Sequence, residues 1–308
     1  MKLTDLIFAD ANNARAHFEA IRWPNGPICP HCGETEKVYR LDGKKHRPGL
    51  IHCNACSGQF TVTTGGVMES SHIPLNKWAL GFYLYSASKK GFSAHQLHRQ
   101  IGISYKSAWF MAHRIREAMA PVPGSEPPLG GDGFVVEADE TEISPSRKTR
   151  VKGGRARAKN QRFVALVERD GRVRSKMIGD RGLNEVRQAI RDHVDPASTL
   201  HTDGAPVYRF LLPKGQHEAV DHDKQYARDG ETGRVHCNTA EGFFSIFKRG
   251  LVGTYQHMGE QHLPRYLAEF DFRMSKGASL GVTDDMRAEL AIKGAEGKRL
   301  TYKQPRAA

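Results

Sequence analysis

The chain has 308 residues with 39% hydrophobic and 8% aromatic content, which suits a globular protein built as one large domain or about two to three smaller ones. No apolar run reaches the roughly 18 residues of a membrane span, and the stretch MKLTDLIFADANNARAHF is amphipathic and acid-containing with no secretory h-region, so a cytoplasmic protein is expected. A net charge of +12 favours a polyanionic partner, nucleic acid before an anionic membrane.

The first 72 residues hold an N-terminal helix and four of the five cysteines. Cys29 and Cys32 in CPHC, with Cys53 and Cys56 in CNAC, make the pattern C-x2-C-x20-C-x2-C. Two residues between thiolates form a tight knuckle whose sulfurs reach one Zn²⁺, and two knuckles complete a tetrahedral site. The intervening KVYRLDGKKHRPGLIHC and the following QFTVTTG have the turn-broken, β-rich character of a zinc ribbon. Two disulfides are the rival reading, which an intracellular chain disfavours. His31 and His52 lie beside these ligands and could substitute, and Cys237 reads as a small buried thiol.

Residues 73–120 turn helical. LNKWALGFYLYSASKK has apolar residues at helical spacing, and GFSAHQLHRQIGISYKSAWFMAHRIREAM then reads as a helix–turn–helix. Ser93 and Ser104 are placed to cap the two helices, with Gly102 at the turn. In a DNA-binding pair the start of the second helix faces the major groove, here Tyr105, Lys106 and Ser107, while Trp109, Met111 and Ile115 pack inward. A plain helical hairpin is the alternative.

PVPGSEPPLGGDG, Pro121 to Gly133, marks a domain boundary. Strands are expected over Phe134–Thr141, Arg162–Glu168 and Arg172–Ile178, the last two joined by a hairpin at Arg169, Asp170 and Gly171. A helix over Leu183–Val194, a strand over Ser198–Thr202, a short helix over Ala205–Leu212 and a strand over Gln216–Val220 follow. A helix in HCNTAEGFFSIFKRG and another over His262–Ser275 end the series. This order is that of an RNase H-like α/β domain, a mixed sheet flanked by helices, spanning residues 134–275 behind the ribbon and the helical region. Residues 276–308 form a tail of a short helix and polar, basic residues. Between the first two strands lies PSRKTRVKGGRARAKNQR, with eight Lys or Arg and no acid, among them Arg147, Lys148, Arg150, Lys152, Arg155 and Arg157. Such a loop is either simply solvated or a grip for phosphates that releases their counterions.

In HCNTAEGFFSIFKRG, Ala240, Phe243, Phe244 and Phe247 form one apolar stripe, while Asn238, Glu241, Ser245 and Lys248 follow the same period about half a turn away. Asp139 ends the apolar part of the first strand and Asp203 follows the fourth. The first strand is central in this topology and lies beside the fourth, so the two aspartates become neighbours and the helix can lay Glu241 across them. Glu137, Glu140 and Glu142 crowd Asp139, and each acid taken alone could be an ordinary solvated residue. Together, three gathered carboxylates repel one another unless cations sit between them. Two hard divalent ions, Mg²⁺ or Mn²⁺, suit such oxygen ligands and phosphoryl transfer.

Taken with CPHCG, CNACS, FSAHQLHRQIGISYKSAWFMAHRIR, VEADET, HTDGA and HCNTAEGFFSIFKRGLVGTYQHMGEQHLPRYLAEFDFRMS, nearly the whole chain resembles bacterial insertion-sequence transposases of the DDE class, the group with a zinc ribbon and an ISXO-like catalytic domain. The resemblance implies that Asp139, Asp203 and Glu241 bind the catalytic metals. It also implies that Lys248, with Arg249 beside it, contacts DNA near the scissile phosphate. Some relatives use Asn at the third position, which brings Asn238 into consideration. The ending DFRMSKG around Arg273 departs from the more Asn- and Arg-rich form of many relatives. The implied activity is binding of terminal inverted repeats, strand cleavage and strand transfer, performed as a homo-oligomer on DNA. A structure-specific nuclease and a DNA-binding regulator without catalysis are the alternatives.

Overall fold

The computed structural model describes residues 2–143, 160–179, 182–208, 211, 215–221, 225–231 and 233–301. It divides into two compact units: Met1–Ser88 with Phe92–Ala120 and the segment from Val282, and Lys89–Gly91 with Pro121–Gly281.

The first unit opens with α1 (Leu6–Ala9) and α2 (Ala11–Arg22). Asp10 caps α2 by accepting from the Asn12 and Asn13 amides. The ribbon follows as an antiparallel sheet of β1 (Val38–Arg40), β2 (Ile51–Cys53) and β3 (Gln59–Phe60). Trp23 packs edge-on against Phe60, and the Arg22 guanidinium donates to the carbonyls of Val62 and Thr64, which ties the ribbon to α2.

Next come α3 (Leu75–Ala87), α4 (Ala94–Ile101) and α5 (Tyr105–Met119). The boundaries have the anticipated chemistry. Ser93 and Gln96 form a capping box at α4, Gly102 ends it in the left-handed region at φ 62°, and Ser104 accepts from the Ser107 amide to start α5. Met111 and Ile115 are buried as expected. Trp109 is only half-buried and lies against the His113 ring.

In the second unit the strands are β4 (Val135–Ile143), β5 (Gln161–Glu168), β6 (Val173–Ile178), β7 (Thr199–Thr202) and β8 (His217–Ala219), and α6 (Leu183–His193) precedes β7. They form one sheet ordered β6-β5-β4-β7-β8, with β4 antiparallel to β5 and parallel to β7. This is the mixed, RNase H-like sheet that the element order implies. A hairpin of β9 (Arg228–Gly230) and β10 (Gly233–Val235) occupies a stretch that reads as polar loop. The expected short helix after β7 is, in its described part, a 3-10 turn over Pro206–Tyr208. At the β5–β6 turn the left-handed residue is Asp170 at φ 55°, not the glycine. Gly171 serves close approach instead, since a Cβ there would lie 2.7 Å from the Glu168 side chain.

Both faces of the sheet are covered. One face packs on α6 through Val136, Ala138, Val164, Leu166, Val186, Ile190 and Leu200. The other packs on α7 (Asn238–Gly250) and α8 (Leu263–Ser275) through Ile143, Phe163, Ala165, Phe243, Phe247 and Phe270. The α7 stripe behaves as its period implies: Phe247 sits 5.1 Å from Phe163 and 4.9 Å from Phe270, centroid to centroid, in edge-to-face contacts. Asp271 fastens α8 to β6 by accepting from the Ser175 amide and hydroxyl.

The chain then returns to the first unit, where α9 (Asp284–Lys293) packs on α2, α3 and α5. Arg287 donates to the Ser86 carbonyl at 2.7 Å and Arg114 to the Leu300 carbonyl at 3.3 Å. Among the described residues no helix is long and apolar enough to cross a membrane.

Candidate active site

The four ribbon cysteines come together without a disulfide. Their sulfurs all lie within 4.8 Å of one another, with Cys29 to Cys56 at 3.7 Å and Cys32 to Cys53 at 3.6 Å. Each knuckle turns through a left-handed residue just past its second cysteine, Gly33 at φ 78° and Ser57 at φ 57°. A Cβ on Gly58 would press to 3.2 Å from Cys56 Sγ, so the backbone itself wraps the sulfur. Four converging thiols on two knuckles match the donor chemistry and number of a structural Zn²⁺.

In the second unit the acids gather where β4 outruns β7. The parallel pairing registers Val135 with Thr199 and Glu137 with His201, and β7 stops at Thr202. Beyond Glu137, β4 is paired only with β5, Asp139 standing opposite Ala165. Asp139 therefore lies in mid-strand, not at the strand end, and its free edge faces the Asp203 turn. Asp203 holds that turn by accepting from the Ala205 amide at 3.0 Å.

Asp139 and Glu241 share a cleft of about 680 Å³ with Glu140, Thr141, Phe244, Ser245, Lys248, Arg249 and Val252. Burial, then the charges of Asp203, Glu140 and Glu241, push the Asp139 carboxyl up to about 7, although the Glu140 amide donates to it. Burial is the larger cause, and the acidic neighbours add to it, so the cluster resists carrying its full negative charge. The three acids are spaced more loosely than the four thiols, which alone among the described residues form a ligand set within 4.8 Å.

Not every expected residue joins this cleft. Asp203 couples to Asp139 but is not among the residues lining it. Asn238 is exposed at the first turn of α7 and is not among them either. Tyr105, Lys106 and Ser107 occupy the first turn of α5 in the other unit, with Tyr105 exposed and stacked on His95 at 4.2 Å. Arg147, Lys148, Arg150, Lys152, Arg155 and Arg157 lie outside the described residues. Cys237 is fully buried and its thiol is pushed up by that burial, as suits an inert core residue.

The structure adds residues that the sequence did not single out. Phe244 and the exposed Val252 give the cleft an apolar wall, Val252 standing on a π-type turn over Leu251–Tyr255. Glu140, on the opposite face of β4 from Asp139, accepts the Tyr208 hydroxyl, which ties the turn after Asp203 to β4. Burial raises both the Glu140 carboxyl and the Tyr208 hydroxyl. Glu137 is fully buried, and a wholly buried glutamate needs a partner in every direction. Its position among the apolar residues of VVEADE is the one signal that could have marked it.

The fold is an RNase H-like mixed sheet flanked by helices, preceded in the chain by a ribbon with four converging thiols. Two family models match, the ISXO2-like transposase domain over residues 128–275 and the transposase zinc-ribbon domain over residues 10–59. The chain belongs to the insertion-sequence transposases that carry a zinc ribbon and an ISXO2-like DDE domain. A curated relative, male abnormal protein mab-31 of Caenorhabditis elegans, is 24% identical over 215 residues, covering 65% of this chain and 49% of the relative. The chain thus spans about half the length of that curated relative. No solved structure matches the chain.

Proposed function

We propose that the chain recognises the terminal inverted repeats of its own element, cleaves DNA strands there and joins the 3′-hydroxyl ends to target DNA. The observation that carries this reading is one cleft lined by Asp139 of β4 and by Glu241, Lys248 and Arg249 of α7, with Asp203 following the neighbouring strand β7. Asp139, Asp203 and Glu241 would hold two Mg²⁺ or Mn²⁺ ions. When bound, such ions activate the attacking oxygen and stabilise the leaving one.

The remaining work falls to the chain's own groups. Lys248 and Arg249 neutralise backbone phosphates and hold the strand along the acidic edge. Arg249 is already oriented, donating to the Ser245 carbonyl and hydroxyl at 3.1 and 2.9 Å. Phe244 and Val252 exclude water from one side of the cleft. The zinc ribbon and the first turn of α5, with Tyr105, Lys106 and Ser107, supply end recognition. The basic stretch from Arg147 to Arg157 adds sequence-independent grip. The protein works in the cytoplasm, on DNA, as a homo-oligomer.

A reaction offering both water and a 3′-hydroxyl acceptor to a labelled inverted-repeat duplex tests this reading. Joined product with Mg²⁺ or Mn²⁺ supports it. Hydrolysis alone points to a nuclease, and binding without cleavage to a regulator.

A further inference from the structure

Glu137 lies two residues before Asp139, on the same face of β4, and has no exposed surface. Its carboxylate is fully engaged. Oε2 accepts from the backbone amides of Thr239 at 2.8 Å and Ala240 at 3.1 Å. Oε1 accepts from the Thr239 hydroxyl at 3.0 Å and from Arg169 Nε and Nη2 at 3.2 and 3.0 Å. These amides belong to the first turn of α7, whose own N-cap residue, Cys237, gives no side-chain cap. A helix start leaves amides unsatisfied and carries partial positive charge, so a carboxylate set against it is both cap and counter-charge. Here that carboxylate comes from a strand about a hundred residues earlier in the chain.

The consequence is geometric. Glu241 follows Ala240 directly, so the bonds that fix the Thr239 and Ala240 amides also fix the turn that carries Glu241. Their other end is on β4, two residues from Asp139. We propose that Glu137 is a positioning residue: it clamps the N-terminus of α7 to β4 and so fixes where Glu241 stands relative to Asp139. This rests on the reading of Asp139, Asp203 and Glu241 as the cation ligands. Arg169, from the β5–β6 turn, orients the carboxylate from behind and balances its charge.

The test titrates the zinc-loaded full chain with Mn²⁺ alone, without DNA, and follows free Mn²⁺ by electron paramagnetic resonance. Glu137→Gln keeps the size of the side chain but removes the charge and sets an amide donor against Thr239 or Arg169. It is expected to weaken Mn²⁺ binding about tenfold, the usual effect of losing a partner behind a metal ligand. Thr239→Val removes one donor and leaves the backbone bonds, for an expected loss of about fivefold, the effect of a single hydrogen bond. It serves where Glu137→Gln does not fold. The deciding arm is the double variant: in a Glu241→Gln background, Glu137→Gln should cost no further affinity, because its effect runs through Glu241. Losses that add, or unchanged affinity in both Glu137→Gln and Thr239→Val, overturn the proposal. If Asp139→Asn and Glu241→Gln leave Mn²⁺ binding intact, the ligand reading fails and the positioning role falls with it. If they weaken binding and Glu137→Gln does not, the positioning role alone fails.

Discussion

Replacing Asp139 with asparagine should stabilise the cation-free second unit, and increasingly so as pH rises. The wild-type carboxyl is raised from 3.8 to about 7 by burial and by neighbouring acids. Its folded pKa lies above its unfolded one, so its contribution to stability is fully present below about 3.8 and is lost as pH rises through about 7. At about 1.36 kcal/mol per pH unit, the full window is worth roughly 4 kcal/mol, and the part between pH 5.5 and 7 roughly 2 kcal/mol. The substituted asparagine does not ionise, and its side-chain oxygen still accepts the Glu140 amide bond made by Asp139 at 2.8 Å. The advantage of Asp139→Asn over wild type should therefore grow by about 2 kcal/mol between pH 5.5 and pH 8. Adding Mg²⁺ at pH 8 should stabilise wild type and leave the variant unmoved. Tryptophan fluorescence will not read this, because Trp23, Trp78 and Trp109 all lie in the first unit. Hydrogen exchange of β5 amides in graded denaturant will, with the two proteins compared at each pH so that intrinsic exchange rates cancel. Parallel stability curves for the two proteins from pH 5.5 to 8 would refute the desolvated, acid-crowded Asp139.

Phe247→Ala removes a ring buried between Phe163 and Phe270 and should cost about 3–5 kcal/mol in the same exchange assay; a loss below about 1 kcal/mol would contradict its place in the core. Cys53→Ser leaves three thiols, so a chromophoric chelator should strip zinc from the variant far faster than from wild type, and equal rates would refute a four-thiolate site. Lys248→Ala should weaken DNA binding uniformly across sequences and reduce the slope of log affinity against log salt by about one, whereas an unchanged slope would remove Lys248 from the phosphate path.

Features written in local chemistry were legible in the sequence. The caps at Ser93 and Ser104 and the turn at Gly102 each depend on residues within a few positions, and all three appear as read. The order of strands and helices in the second unit was likewise readable, because each element carries its own period. What escaped depends on partners far along the chain. Glu137 reads as one acid among several near Asp139 until Thr239 and Ala240 arrive to claim it. Asp139 reads as a strand end because the apolar run stops there, while β4 continues to Ile143 on backbone pairing with β5. The β9–β10 hairpin hides in polar residues that bury little beyond Val235. α9 carries only Ala288, Ala291 and Ile292 as its buried apolar residues, too weak a stripe to announce that it packs on α3.

In the proposed reaction Asp139, Asp203 and Glu241 act together on DNA. Its most direct test measures joining of a pre-cleaved inverted-repeat end to target DNA by Asp139→Asn, Asp203→Asn and Glu241→Gln, beside end binding by each. All three should lose metal-dependent joining by at least about a thousandfold while end binding stays within about twofold of wild type. Joining retained by any one of them contradicts its assignment as a ligand, and joining retained by all three contradicts the site.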